Sequence, residues 1–396
     1  MINSKSYHKA INLLHQASTS FGFVAAVQEH DNYKRVWTRD GVITSIAGLL
    51  SKDENLVRTA KATLETLFNH QHSCGFMPSN VSPIDGSVSY GGTAGRADNP
   101  SWAVIGLAAY TILTEDKSLW EKYQIEINKC FAILEAWEYN GKQLIYVPQS
   151  GDWADEYIQH GYILFDQLLR LWALQLANTI SRNETWESKT ANIALTIKNN
   201  YWNSANSKTL YAPNLEHQLQ NAPKEFWLMG FNPATIYPYF DLQANTFAIL
   251  LGLGDEDKDE RILTFIKSIY QSPNNLLPSF FPVIGEKDFD MQALINNYAY
   301  TFRNKPHYFH NGGLWPVWNG WLVAALTSTG QTNWAASLLS AIHQANDDEF
   351  NECLHGGDGH PCGVPQCTWS AAGAIIAAHA LHDQNFKKLF DFNLKL

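Results

Sequence analysis

The chain has 396 residues, 45% hydrophobic and 17% charged, a globular composition rather than a disordered or fibrous one. Its net charge of -10 argues against a nucleic-acid surface, which needs clustered basic groups to neutralise phosphates, and against an anionic membrane face. No apolar run approaches the roughly 18 residues that cross a bilayer.

Apolar residues recur at helical spacing along the whole length. They predict twelve helices, at 5–18, 40–50, 54–70, 100–114, 118–138, 157–180, 186–202, 240–252, 257–271, 316–329, 332–345 and 368–382. Strand-like alternation is scarce; Leu144-Ile145-Tyr146-Val147 is one short candidate. The links after the odd-numbered helices are long: 19–39, 71–99, 139–156, 203–239, 272–315 and 346–367. Those after the even-numbered helices are tight, as at Ser51-Lys52-Asp53 and Glu115-Asp116-Lys117. A tight link folds two helices into an antiparallel hairpin, so the alternation gathers every long loop at one end. Six such hairpins in a ring make an (α/α)6 barrel. The expected fold is all-α, a single barrel over residues 1–396, with no Pro/Gly/Ser-rich linker or charge block to divide it.

The even helices are expected inside. Residues 103–109 and 371–378 carry no charge, and a helix apolar all round is a buried one. The long loops then open at the N-terminal ends of the inner helices, where free N–H groups and the positive dipole end suit oxygen-rich ligands. Dense polar-aromatic clusters fall there: Trp37-Thr38-Arg39-Asp40, Arg96-Ala97-Asp98 with Trp102, Gly151-Asp152-Trp153-Ala154-Asp155-Glu156, Tyr237 to Asp241, His310-Asn311 with Trp315, and Glu352 followed by Gln366-Cys367-Thr368-Trp369. Asp, Asn and Ser before a helix also serve as ordinary caps, and Pro316 suits a first turn. Capping does not account for tryptophan in five of these clusters, or for Arg39 beside Asp40. The 14 Trp and 17 Tyr exceed what core packing calls for, and sugar rings stack well on such surfaces.

Glycosidic hydrolysis uses two carboxyl groups flanking the scissile bond. One stays protonated as the acid, which a neighbouring indole and little water favour. Asp155, two residues after Trp153, is the choice, with Asp152 and Glu156 as local competitors that spacing alone does not separate. Glu352, in a glycine-rich loop that lets backbone approach a ligand, is the candidate base. Arg39, Asp40, Asp98, His310, Asn311 and Gln366 are candidates for holding sugar hydroxyls. Trp37, Trp102, Trp153, Trp315 and Trp369 are the candidate walls.

No cofactor is called for, since carboxyl groups can make both proton transfers. Cys353, His355, His360 and Cys362 lack the usual zinc spacing, so no metal is expected. Phosphate-loop, dinucleotide and G-x-S-x-G motifs are missing. The five cysteines are scattered, and the start MINSKSYHKAINLL lacks a signal-peptide core, so the cytoplasm is the expected compartment. The partner is a small sugar. Two alternatives stand beside hydrolysis: an epimerase or isomerase drawing a histidine pair from His310, His355 and His360, and a non-catalytic sugar-binding protein.

The order and wording of the clusters resemble the alkaline/neutral invertases of glycoside hydrolase family 100. The likeness runs from Gly22-Phe23-Val24-Ala25-Ala26 and Arg39-Asp40 through Gly75-Phe76-Met77-Pro78-Ser79 and Gly95-Arg96-Ala97-Asp98. It continues with His310-Asn311-Gly312-Gly313-Leu314-Trp315-Pro316 and Thr368-Trp369-Ser370-Ala371-Ala372-Gly373. The resemblance implies an (α/α)6 barrel and hydrolysis of the α-1,2 bond of sucrose with inversion. The family's acid, in its Met-Ile-Asp-Arg segment, falls on Asp155, and its base, in Pro-Glu-Tyr-Tyr, falls on Glu352. Three departures touch the implied sugar site. The Arg after the acid is Glu156, the Gln before Thr-Trp-Ser is Cys367, and Asp-Ser-Gly-Leu-Trp-Trp becomes Asp98-Asn99-Pro100-Ser101-Trp102-Ala103. A different α-glucoside is therefore the alternative substrate.

Overall fold

The computed structural model describes residues 2, 4–204, 213–270, 275–298, 300–347 and 349–392. Parts of the expected links 203–239, 272–315 and 346–367 thus lie outside the described residues. The helices are, in chain order, α1 (Lys5–Gln16), α2 (Thr38–Ser51), α3 (Glu54–Asn69), α4 (Asn99–Thr114), α5 (Ser118–Lys122), α6 (Gln124–Ala136), α7 (Leu164–Ile180) and α8 (Glu184–Tyr201). There follow α9 (Pro213–Leu219), α10 (Leu242–Leu250), α11 (Glu256–Ile269), α12 (Met291–Asn296), α13 (Pro316–Ser328), α14 (Thr332–Asn346) and α15 (Thr368–His382).

Six of them close a ring: α2 packs on α4, α4 on α7, α7 on α10, α10 on α13, α13 on α15, and α15 back on α2. These are the helices without a polar face, buried along nearly their whole length. Outside them α3 packs on α2, α6 on α4, α8 on α7, α14 on α13 and α1 on α15. Helix α11 reaches the barrel through Phe265, against Phe226 and Phe240. The outer helices are amphipathic, and side chains of Ser4, Asp53, Asn183 and Asp255 cap the N-termini of α1, α3, α8 and α11. This is the (α/α)6 barrel expected from the link pattern.

Helices α13 and α15 touch backbone to backbone. A Cβ on Gly320 would sit 2.3 Å from the Gly373 carbonyl oxygen, and one on Gly373 would sit 2.6 Å from Val317 Cα. Only glycine fits at that crossing.

The long loops bond to one another around one end. Val36 pairs with Val81, the Ala97 N–H donates to the Gly151 carbonyl, and Val147 pairs with Gly161. Ile163 pairs with Gly230, Phe240 with Phe281, and Leu314 with Leu354. Ala26 pairs with Cys367 and completes the circuit. The strands are short, and the largest sheet joins Tyr162–Ile163, Leu228–Phe231, Ile236–Asp241 and Phe280–Phe281.

Three expectations need correction. The helix at 118–138 breaks at Tyr123, whose backbone leaves helical geometry (φ -105°, ψ 24°). The helix at 157–180 begins only at Leu164, because Tyr162 and Ile163 are drawn into the sheet. Residues 144–147 form no regular strand: Ile145 exchanges hydrogen bonds with the Gln167 side chain instead (2.9 Å each). Among the described residues, no helix is long and apolar enough to cross a membrane.

Candidate active site

The N-terminal ends of the inner helices bring Arg39 and Asp40 (α2), Asp98 (α4), Trp315 (α13) and Trp369 (α15) to one end of the barrel. Trp153 and His310 reach the same place from the loops. Their rings form a continuous floor. Trp153 stacks on Phe280 and meets His310, Trp315 and Trp318 edge-on at centroid distances of 5.0–5.3 Å. His310 lies parallel to Trp315 (5.3 Å, 2°), and Trp369 stands edge-on to Trp315 and Trp318. The Arg39 guanidinium sits 5.7 Å from the Trp369 ring centroid. Arg39 Nη1 donates to Asp98 Oδ2 at 2.9 Å, while Asp98 Oδ1 and His310 Nδ1 have no hydrogen-bond partner among the described residues. Burial pushes the His310 imidazole down to about 3, against the opposing charge of Asp155, so the ring is neutral.

Glu352 immediately precedes the strand Cys353–Leu354 of a hairpin with Pro361–Cys362. It is 6% exposed. Tyr33 Oη donates to its Oε1 (2.9 Å), and the Val364 N–H to its Oε2 (3.3 Å). Burial pushes its carboxyl up to about 7 despite these donors, and the charge of Asp40 adds to the rise.

The three acids of the 151–156 loop diverge. Asp155 is the most open, its side chain 36% exposed, and Arg96 Nη2 donates to its Oδ2 at 2.8 Å. Asp152 turns into the protein, where the Ala154 N–H and the Gln159 side chain donate to it. Burial, then the charge of Asp98, pushes Asp152 up to about 7. Glu156 is buried and accepts from Arg303 at 3.2 Å. Two further buried acids, Asp166 and Asp241, lie in the field of Asp152, and burial pushes both well up. The charge of Asp155 adds to the rise of the Asp40 carboxyl, and the charge of Asp40 adds to that of Glu352, so Asp40 lies within electrostatic reach of both loops.

Several expected residues belong elsewhere. Trp102 is fully buried in the barrel core, edge-on to Trp172 and Phe247, because its position on α4 faces the axis below the floor. Asn311 spends its amide on the loop backbone: Oδ1 accepts from the Ile284 N–H, and Nδ2 donates to the Ile284 and Asn304 carbonyls. Trp37 lies at the rim, its Nε1 donating to the Asn32 carbonyl and its ring 6.5 Å from Tyr33. Gln366 is half-buried with φ 51°, its N–H bonded to the Glu349 carbonyl.

His355 and His360 converge on Asp358 at the hairpin tip (2.9 and 2.5 Å) rather than on His310. Cys353 and Cys362 face each other instead of joining that group. A cavity of about 630 Å³ lined by Glu135, Arg170, Trp186 and Lys189 lies beside α6, α7 and α8 and includes none of the site residues. Arg39, Asp40 and Glu352 are by contrast all buried.

Sequence reasoning missed Tyr33 and Arg303. Tyr33 sits in the charged stretch Glu29 to Arg35, where nothing distinguishes it. Arg303 had only a weak signal: it and Lys305 stand in a stretch, residues 291–310, that holds no acid.

A barrel of this topology recurs among solved structures of glycosidases. The chain superposes with a TM-score of 0.68 on a bacterial glucoamylase bound to acarbose, at 14% identity over 98% of this chain and 57% of that one. It superposes equally, at 12% identity over 94% and 99%, on the GH63 mannosylglycerate hydrolase of Thermus thermophilus bound to Tris and D-glycerate. These likenesses establish the fold.

Sequence comparison narrows the kinship. The model of the alkaline and neutral invertase family matches residues 198–384. Alkaline/neutral invertase C, mitochondrial, of Arabidopsis thaliana is 24% identical over 92% of this chain and 64% of its own length. Probable alkaline/neutral invertase A, chloroplastic, of the same plant is 22% identical over 91% and 67%. The chain is similar in sequence to these alkaline and neutral invertases, and it spans about two thirds of the length of the two. Both are named for organelles, not for the cytoplasm expected from the cysteine pattern.

Proposed function

We propose that the protein hydrolyses a small α-glucoside, with sucrose the first candidate, by inversion at the anomeric carbon. The observation that supports this reading is Asp40, at the N-terminal end of an inner helix beside the tryptophan cluster, whose electrostatics couple to Asp155 on one long loop and to Glu352 on another. Asp155 protonates the departing oxygen as the C1–O bond breaks. Glu352, ionised, takes a proton from the water that attacks C1 from the opposite face. Trp153, Trp315 and Trp369 stack against the C–H faces of the sugar, and Asp40, Asp98 and the neutral His310 hold its hydroxyls.

The histidine arrangement favours hydrolysis over epimerisation. His355 and His360 are committed to Asp358, leaving His310 without a second histidine across the hollow.

The test is a screen of sucrose, trehalose and α-linked glucobioses with the wild type and with Asp155→Asn, Asp152→Asn and Glu352→Gln. The reading expects release of free glucose, lowered about 10²–10⁴-fold by Asp155→Asn and by Glu352→Gln in folded protein. An inactive Asp152→Asn beside a fully active Asp155→Asn overturns the acid assignment. Conversion of a free hexose with no glycoside cleaved overturns hydrolysis itself.

A further inference from the structure

Glu352 is followed by Cys353, and Cys362 by Gly363. The two cysteines are directly opposed in the antiparallel hairpin of Cys353–Leu354 and Pro361–Cys362. Both are free thiols, with Sγ atoms 3.1 Å apart. Opposed residues in such a ladder have Cα atoms about 4.5–5.5 Å apart. That lies inside the span of about 4.4–6.8 Å over which a disulfide forms without moving the backbone far.

We propose that Cys353 and Cys362 form a reversible disulfide, and that closing it shifts Glu352 and lowers turnover. The proposal rests on the reading of Glu352 as the base. The two thiols are unequal in the way thiol–disulfide exchange requires. Cys362 is half-buried and reachable, and its hydrogen bond with Cys353 lowers its thiol. Cys353 is fully buried, and burial raises its thiol well up. Cys362 is therefore the attacking sulfur and Cys353 the resolving one. The co-reactant is a small-molecule disulfide. The Cys362 thiolate attacks one of its sulfurs, the reagent's S–S bond breaks, and one thiol leaves with the Cys362 proton. The Cys353 thiol then attacks the mixed disulfide, and the second thiol leaves with the Cys353 proton. The protein loses two electrons and two protons, and the reagent gains them.

The link to Glu352 is steric. Gly363 has φ +80°, and a Cβ there would lie 2.7 Å from both Cβ and Oε2 of Glu352. The Glu352 N–H donates to the Val364 carbonyl (2.8 Å), and the Val364 N–H donates back to Oε2 (3.3 Å). The strand that carries Cys362 therefore grips the carboxylate. Drawing the sulfurs together by about 1 Å, to a bond of about 2.05 Å, moves Gly363 and Val364 against Glu352 and disturbs its contact with Tyr33.

The test equilibrates the full chain in oxidised or reduced glutathione, quenches exchange with acid, denatures the chain and traps free thiols by alkylation, and maps the label by mass spectrometry while turnover is followed in parallel. In oxidised glutathione, Cys353 and Cys362 are expected to escape alkylation as a mutual disulfide, while Cys367 stays free. Turnover is expected to fall roughly tenfold to 100-fold and to return with dithiothreitol. C362S and C362A are expected to keep the same turnover in both buffers. Continued alkylation of both thiols, a bond from Cys353 to Cys367, or a Cys353–Cys362 bond with unchanged turnover overturns the proposal. Reduced protein that cleaves no glycoside, yet pairs these two thiols, sinks the hydrolytic reading and supports the disulfide.

Discussion

Replacing Glu352 with Gln should make the protein more stable at alkaline pH while removing its activity. The carboxyl is buried, and its folded-state value is raised from 4.5 to about 7. Below about 4.5 it is protonated in both folded and unfolded chains. Between there and about 7 the unfolded chain releases its proton while the folded one holds it, so stability falls as the pH rises. Above about 7 both are ionised and the full loss, on the order of 3 kcal/mol, is in place. A glutamine has no such loss. The buried acids Asp152, Asp166 and Asp241 titrate alike in both proteins and cancel in the difference, while Asp40, whose charge raises Glu352, contributes a smaller change of the same sign. For a chain of this length the loss corresponds to about 4 °C in Tm. The assay is thermal denaturation of both proteins at about pH 4.5 and at about pH 8.5, spanning the two values. The gap between variant and wild type should widen by most of those few degrees at the higher pH. An unchanged gap refutes the argument that burial dominates at Glu352.

Three further outcomes follow from the same contacts. Because the base must be ionised, the acid limb of kcat/KM for the cleaved glycoside should be centred near 7; an acid limb centred near 4.5 in a pH–rate profile contradicts this. Trp102→Ala should cost about 3–5 kcal/mol by thermal denaturation, with KM unchanged in protein kept folded in the cold; a raised KM at unchanged stability would return Trp102 to the sugar site. Gly373→Ala forces a methyl group against the Val317 backbone and should destabilise the barrel by about 1–3 kcal/mol or more; an unchanged Tm would mean that the α13–α15 crossing relaxes freely.

The barrel was legible because two independent signals agreed. Helical periodicity gave the elements, and the alternation of long and tight links gave their direction, so uncharged α4 and α15 could be assigned to the inner ring before any contact was known. The short strands were not legible, since two residues carry no period, and the pairing of Tyr162–Ile163 with Gly230–Phe231 shortened α7. At the site, helix N-termini pointed to Arg39, Asp40, Asp98, Trp315 and Trp369. The same rule misjudged Trp102 and Asn311. Proximity to an N-terminus does not say whether a side chain faces the hollow, the axis or a neighbouring loop. Spacing could not divide Asp152, Asp155 and Glu156 either, because their fates are set by Gln159, Arg96 and Arg303, and two of those partners come from other loops.

The central claim is that Asp155 and Glu352 act from opposite faces of one anomeric carbon. It is tested most directly by proton NMR of the glucose first released from sucrose, or from whichever α-glucoside the screen selects, recorded before mutarotation. The account expects the β-anomer, with its equatorial hydroxyl, to accumulate first. Release of the α-anomer first would mean retention at C1, or with sucrose cleavage on the fructose side, and either would remove Glu352 from its role as activator of water attacking C1.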